Sequence, residues 1–202
     1  MTMNILGKEF YGGSFEIKSG AVKIGDPAYS PDTWCLGSSD ALNGTWNMKF
    51  FRADNSITDW GDRNTALFAF NKQYFIDNFG MDDIEVERFV QGAHKTQFLL
   101  DVCEEELGVD SGQAGIFDEQ HYIKVKEEDK TKTRRDAWFW STSDITLHGL
   151  EAGITSDNMG CVSSAGYGDG TYDYYCYCNK EGDAVAILIV FIAEEYKENE
   201  DE

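Results

Sequence analysis

The segment from Ala184 to Ala193 reads Ala-Val-Ala-Ile-Leu-Ile-Val-Phe-Ile-Ala, apolar at every position. Successive side chains of a strand point to opposite faces, so such a run must be covered on both sides and belongs in the centre of a sheet. It is about half the length that spans a bilayer as a helix, so no membrane segment is expected. Tyr172 to Cys178 precedes it through Asn179-Lys180-Glu181-Gly182-Asp183, a turn-forming linker that predicts a C-terminal β-hairpin.

The rest of the chain has to supply the covering layers. Short strand-like runs are predicted at Asn4–Phe10, Phe15–Ile17, Ala21–Ile24, Thr45–Arg52, Thr65–Phe70, Ile84–Val90 and Gln97–Val102, with Tyr122–Val125 continuing the sheet. Twenty glycines against two prolines mean that Gly, Asn and Asp make the turns. Short helices are expected near Trp34, after Ser30-Pro31, and over Gln73–Phe79. Lys124 to Arg135, rich in mixed charge, reads as a solvated mobile loop, after which Ala137-Trp138-Phe139-Trp140 restarts the core. The expected fold is mainly β (α+β): antiparallel, sandwich-like sheets with a few short helices. Residues 1–193 are expected to form one globular domain, followed by an acidic tail, 194–202, that frays.

The formal charge is −20, from 37 acidic and 17 basic side chains. Such a field repels phosphate backbones and anionic membranes and favours a basic protein surface as partner. At 42% hydrophobic and 14% aromatic residues the chain is nevertheless built to fold. The five cysteines, Cys35, Cys103, Cys161, Cys176 and Cys178, form an odd set without disulfide spacing, which fits a reducing, cytoplasmic compartment. Met1 to Phe10 has neither a basic nor a continuous apolar region, so no secretory signal is expected. Cys176 and Cys178 would share one strand face, but a single Cys-x-Cys pair is read as buried thiols, not zinc ligands.

Three motifs place an aspartate where the chain turns sharply: Gly25-Asp26-Pro27-Ala28-Tyr29, Val109-Asp110-Ser111-Gly112-Gln113 and Gly166-Tyr167-Gly168-Asp169-Gly170-Thr171-Tyr172. Aspartate in a turn accepts hydrogen bonds from nearby backbone N–H groups, which accounts for these motifs without a ligand. If the turns converge, Asp26, Tyr29, Asp110, Ser111, Asp169 and Tyr172 become ligand-binding candidates. No stretch has the spacing of a calcium loop, and no nucleophile elbow, phosphate loop, dinucleotide fingerprint or zinc-protease helix occurs, so no metal and no cofactor is predicted.

On the three motifs, and on the order in which they occur, the chain resembles the bacterial and phage family called domain of unknown function 4241. The likeness rests on Ser19 to Tyr29, on Gly108 to Gly112 leading to Ile116-Phe117-Asp118, and on Ser164 to Phe191. The family has no established activity, so the resemblance implies a fold unit and a phage or mobile-element origin.

The functional expectation is a non-enzymatic interaction protein, an inhibitor or sensor in a defence or toxin system that presents acidic residues to a basic surface. Asp82, Asp83, Glu85 and Glu87 form one candidate contact group, and Asp101, Glu104, Glu105 and Glu106 another. The alternatives are a small-ligand- or metal-binding protein, including a hydrolase, built on the Asp motifs, and a phage structural or assembly protein.

Overall fold

The computed structural model describes residues 5–56, 58, 61–90, 101–133 and 136–193. Two antiparallel sheets face each other. The larger has the order β1 (Lys8–Ile17), β4 (Gly44–Ala53), β5 (Arg63–Asn71), β11 (Ala184–Val190), β10 (Gly170–Cys178), β6 (Asp101–Val109). The smaller has the order β3 (Leu36–Asp40), β2 (Ala21–Gly25), β7 (Gln113–Asp118), β9 (Gly160–Ser164), β8 (Ala152–Ile154).

Strand β11 lies between β5 and β10 with all seven residues buried, as its two apolar faces require. Ala184, Ile187 and Ile189 join the core between the sheets, with Phe15, Trp46, Met48 and Ile116. Val185, Leu188 and Val190 face the other way, onto Phe68, Phe75 and Phe89. Burying each such side chain contributes about 1.5–3 kcal/mol, so this strand alone anchors two layers. The predicted hairpin is present. Asn179 shapes its turn by accepting from the backbone N–H groups of Glu181 (3.0 Å) and Asp183 (2.9 Å).

Helices cover both outer faces. α1 (Lys72–Phe79) starts at Asn71, whose side chain accepts from the Tyr74 N–H, and stops at Gly80 in the left-handed conformation. Together with α2 (Val86–Arg88) it closes the outer face of the large sheet. α3 (Glu119–Asp129) and α4 (Trp138–Thr146) cover the small sheet, where Tyr122, Val125 and Trp138 pack on Phe117 and Val162.

Several expectations are corrected. Ile84–Val90 is no strand: Val86 and Phe89, one helical turn apart, put their apolar surface onto the sheet without pairing with it. Tyr122–Val125 and the first half of the expected loop, as far as Asp129, are helix α3. Asp118 caps the helix by accepting from His121 N–H (2.9 Å), and Tyr122 and Val125 form its buried stripe. The loop's mixed charges are pairs on the helix and the turn after it, Lys124–Glu128 (3.9 Å) and Lys130–Glu127 (2.6 Å) among them. Arg134 and Arg135 lie outside the described residues. No helix forms at Trp34, where successive turns, Thr33 N–H to Ser30 O and Leu36 N–H to Thr33 O, lead into β3. Phe15–Ile17 and, of Asn4–Phe10, the residues Lys8–Phe10 belong to one strand, β1, interrupted by a bulge between Tyr11 and Gly13, whereas Ile5 makes an isolated bridge with Ala193. Residues 97–100 of one expected strand and the tail 194–202 lie outside the described residues.

Candidate ligand-binding cleft

The Gly25-Asp26-Pro27 turn begins where β2 ends. Gly25 has φ +142°, and a Cβ there would stand 2.4 Å from the Cys35 carbonyl oxygen, so glycine is required. The turn drives Asp26 into the protein, where it is fully buried. Its Oδ2 accepts from the N–H groups of Asp110 and Ser111, both at 2.8 Å. Its Oδ1 accepts from Ala28 N–H (2.8 Å) and the Ser111 hydroxyl (2.6 Å). A carboxylate has about four acceptor positions, and all are filled. Asp26 therefore clamps the β6–β7 loop and has no capacity left for a ligand.

The turn is held from behind as well. Tyr122 donates its hydroxyl to Tyr29 O (2.7 Å) and Lys126 donates to Pro27 O (2.7 Å). Burial drives the Tyr122 phenol above its ordinary value. It also lowers Lys126, against the pull of Asp129 and Asp26. Tyr29 donates to the exposed Asp110 carboxylate, and that hydrogen bond is the main reason its phenol is pushed up to about 12.

The third motif sits beside the second. Ala165 N–H donates to Gly112 O (2.9 Å), joining the β9–β10 loop to the β6–β7 loop. Tyr172 shapes that loop from within, its hydroxyl donating to Gly168 O (2.8 Å) and Ala165 O (3.1 Å). Burial and the charge of Asp169 both raise its pKa. Asp169 itself is exposed at the loop tip. The first two motifs thus meet through the side chains of Asp26, Tyr29, Asp110 and Ser111, the third joins them through its backbone, and Tyr172 acts within its own loop.

What the loops enclose is a cleft of about 400 Å³ between them and helix α4. Ser111 and Gly112 form one wall, Gly166 to Gly168 another, and Phe139, Trp140 and Ser143 a third. Two cleft-lining residues each carry a buried polar atom with no hydrogen-bond partner among the described residues: Gln113 Oε1 and Arg63 Nε. Gln113 is 4% exposed and donates its Nε2 to the Ser143 hydroxyl at 3.0 Å. Ser143 donates its own hydroxyl to Phe139 O at 3.1 Å, so it accepts from Gln113 Nε2 and leaves Oε1 as the orphaned end. Glu151, also on the wall, is engaged by Arg52 (3.2 Å) and by the Ser164 hydroxyl (3.2 Å). Of the sequence-derived candidates, Ser111 lines the cleft. Gln113 closes the second Asp motif but is not among the candidates drawn from it, and Arg63 and Ser143 lie outside the motifs, where nothing local distinguishes them.

The acidic candidates fall in two places. Asp82, Glu85 and Glu87 are exposed beside α2, whereas Asp83 pairs with the buried Lys49 at 2.6 Å. Burial pushes Asp83 up, but Lys49 and the Ile84 N–H outweigh it and hold the carboxyl below its ordinary value. Glu104, Glu105 and Glu106 are exposed on β6, the outermost strand of the large sheet. Asp101 begins that strand, and its side chain lies outside the described set. Cys161, Cys176 and Cys178 are buried in the core between the sheets, and burial is the first cause that pushes the Cys176 thiol up to about 12. No group of three His, Cys, Asp or Glu side chains suited to a metal occurs among the described residues. No helix among them is long and apolar enough to cross a membrane. No family model matches the chain, and no curated protein or solved structure matches it significantly.

Proposed function

We propose that this chain is a small-ligand-binding protein whose ligand occupies the cleft between α4 and the β6–β7 and β9–β10 loops. The observation that carries the reading is the pair of orphaned polar atoms, Gln113 Oε1 and Arg63 Nε, on one cleft wall system. A buried polar atom without a partner costs about 1–3 kcal/mol, a penalty that a matching ligand removes. The clamp of Asp26 on Ser111 supports the same reading, because a wall fixed before binding loses little entropy on binding. A hydrolase built on Asp26 is disfavoured by its four filled acceptor positions.

Thermal-shift screening against a library of metabolites tests the proposal. A ligand present at 100 times its Kd stabilises the fold by about 2.7 kcal/mol, a readily measured rise in Tm. The rise should disappear in Gln113→Leu and Arg63→Met. A ligand whose effect is unchanged in both variants would refute the cleft as its site.

A second reading keeps the basic protein partner, an inhibitor or sensor role being one form of it. Its support is the exposure of Glu104, Glu105 and Glu106 on the outermost strand β6. Reversing those three charges to lysine should abolish capture of a basic partner if this surface is used. The absence of a disulfide among the five cysteines supports a reducing compartment such as the cytoplasm.

A further inference from the structure

The polar atoms of the cleft differ in kind, and the difference specifies a ligand. Gln113 Oε1 is an acceptor buried without a donor, so it calls for an N–H or O–H on the ligand. Arg63 brings a permanent positive charge, and its Nε–H is a buried donor without an acceptor. In a chain of charge −20, a guanidinium has carboxylates in excess to choose from. Arg52 takes two of them, Glu151 at 3.2 Å and Asp62 at 3.9 Å. Among the described residues, no hydrogen bond or ion pair engages the side chain of Arg63. The carboxylate on the cleft wall, Glu151, is already engaged by Arg52, so Arg63 is a cleft cation that no carboxylate among the described residues engages.

The remaining wall is apolar. Phe139 and Trp140 meet edge to face at 5.3 Å between ring centroids, and Leu147, 71% exposed, adds aliphatic surface at the mouth. A volume of about 400 Å³ suits a small organic molecule.

We infer that the cleft selects a small organic anion, a carboxylate or phosphate, that also carries an N–H or O–H donor and an apolar body. The anion meets Arg63, the donor meets Gln113 Oε1, and the body lies against Phe139, Trp140 and Leu147. This inference rests on the cleft being a binding site and adds the class of ligand. Arg63, whose Nε–H meets no acceptor among the described residues, gives the cleft its selectivity for an anion.

A matched series of probes tests it: hippurate, its neutral amide hippuramide, N-benzoylsarcosine, which lacks the N–H, a cationic N-(2-aminoethyl)benzamide, and the phosphonate analogue of hippurate. Binding is read from the NMR signals of the Arg63 Nε–H and the Gln113 side-chain amide in the wild-type chain, so no variant has to fold. Hippurate or its phosphonate should move both signals, and whichever binds more tightly identifies the anion. Hippuramide and N-benzoylsarcosine should each bind about tenfold or more weakly, the loss expected for a buried polar contact left unmade. Arg63→Gln should abolish the advantage of hippurate over hippuramide while leaving the Gln113 amide signal of the free protein in place. If the cationic probe moves the cleft signals as well as hippurate does, the class is wrong although the cleft still binds. If no probe of the series moves them at millimolar concentration, the inference falls. The cleft reading itself falls only if a fragment library of mixed charge also leaves them unmoved.

Discussion

Two polar clusters share the loop from Asp110 to Gly112, one behind it and one in front, and they differ in completeness. Behind, Asp26 is fully buried and every acceptor position of its carboxylate is matched by a donor of the same protein. In front, Gln113 Oε1 and Arg63 Nε are buried with nothing to meet them. Polar groups withdrawn from water are normally paired, so a finished cluster fits a role in the fold and an unfinished one fits a missing ligand. The comparison separates two roles that look alike in sequence, where a buried-turn aspartate and a ligand aspartate carry the same letters.

The comparison breaks first at Asp26. Replacing it by Ala removes the acceptor for three backbone N–H groups and a hydroxyl at once, and should lower stability by about 3 kcal/mol or more in urea denaturation. A loss under about 1 kcal/mol would show that the clamp is not structural. Gly25→Ala acts on the same clamp through the backbone. Its φ of +142° and the 2.4 Å approach of a Cβ to Cys35 O predict a loss of about 1–3 kcal/mol, again by denaturation.

Acid provides a gentler probe of finished clusters. In Asp118, burial raises the carboxyl pKa, but the N–H groups of Lys18, His121 and Ser19 outweigh it and hold it below its ordinary value. In Asp157, burial is likewise outweighed by Thr155, His121 and the Met159 N–H. A folded pKa below the unfolded value of about 3.9 means stabilisation that is present above that value and lost as pH falls through the folded pKa. Stability measured against pH should therefore decline below about pH 4, and Asp157→Asn should make that decline shallower.

The smallest effect is expected at the unfinished cluster, and its sign is the informative part. Gln113→Leu removes the orphaned acceptor and should change the stability of the free protein by no more than about 1 kcal/mol, in the stabilising direction. A loss of several kcal/mol would place Gln113 with the structural groups.

Much of the architecture was legible because burial on two faces leaves a clear trace. The apolar run at Ala184–Val190 foretold its central position, and the hairpin before it followed from the turn residues. Helix α3 was not legible, since Tyr122 and Val125 make a two-residue buried stripe among charges that read as loop. Strands β3, β8 and β9 are short and hold glycine, so backbone pairing defines them and periodicity does not. At the site, the Asp motifs were visible as sharp turns, and Ser111 was among the residues drawn from them. Arg63, Gln113 and Ser143 come from β5, β7 and α4, and their meeting is a product of tertiary packing that no local pattern records. The reading of Cys176 and Cys178 as buried thiols holds.

A crystallographic fragment soak at high resolution is the most direct test of the cleft. The account predicts fragment density between α4 and the two loops, with a donor on Gln113 Oε1 and an acceptor on Arg63 Nε, while Asp26 keeps its four protein donors. Fragments that bind elsewhere, with ordered waters already completing Gln113 and Arg63 in the free crystal, would contradict it.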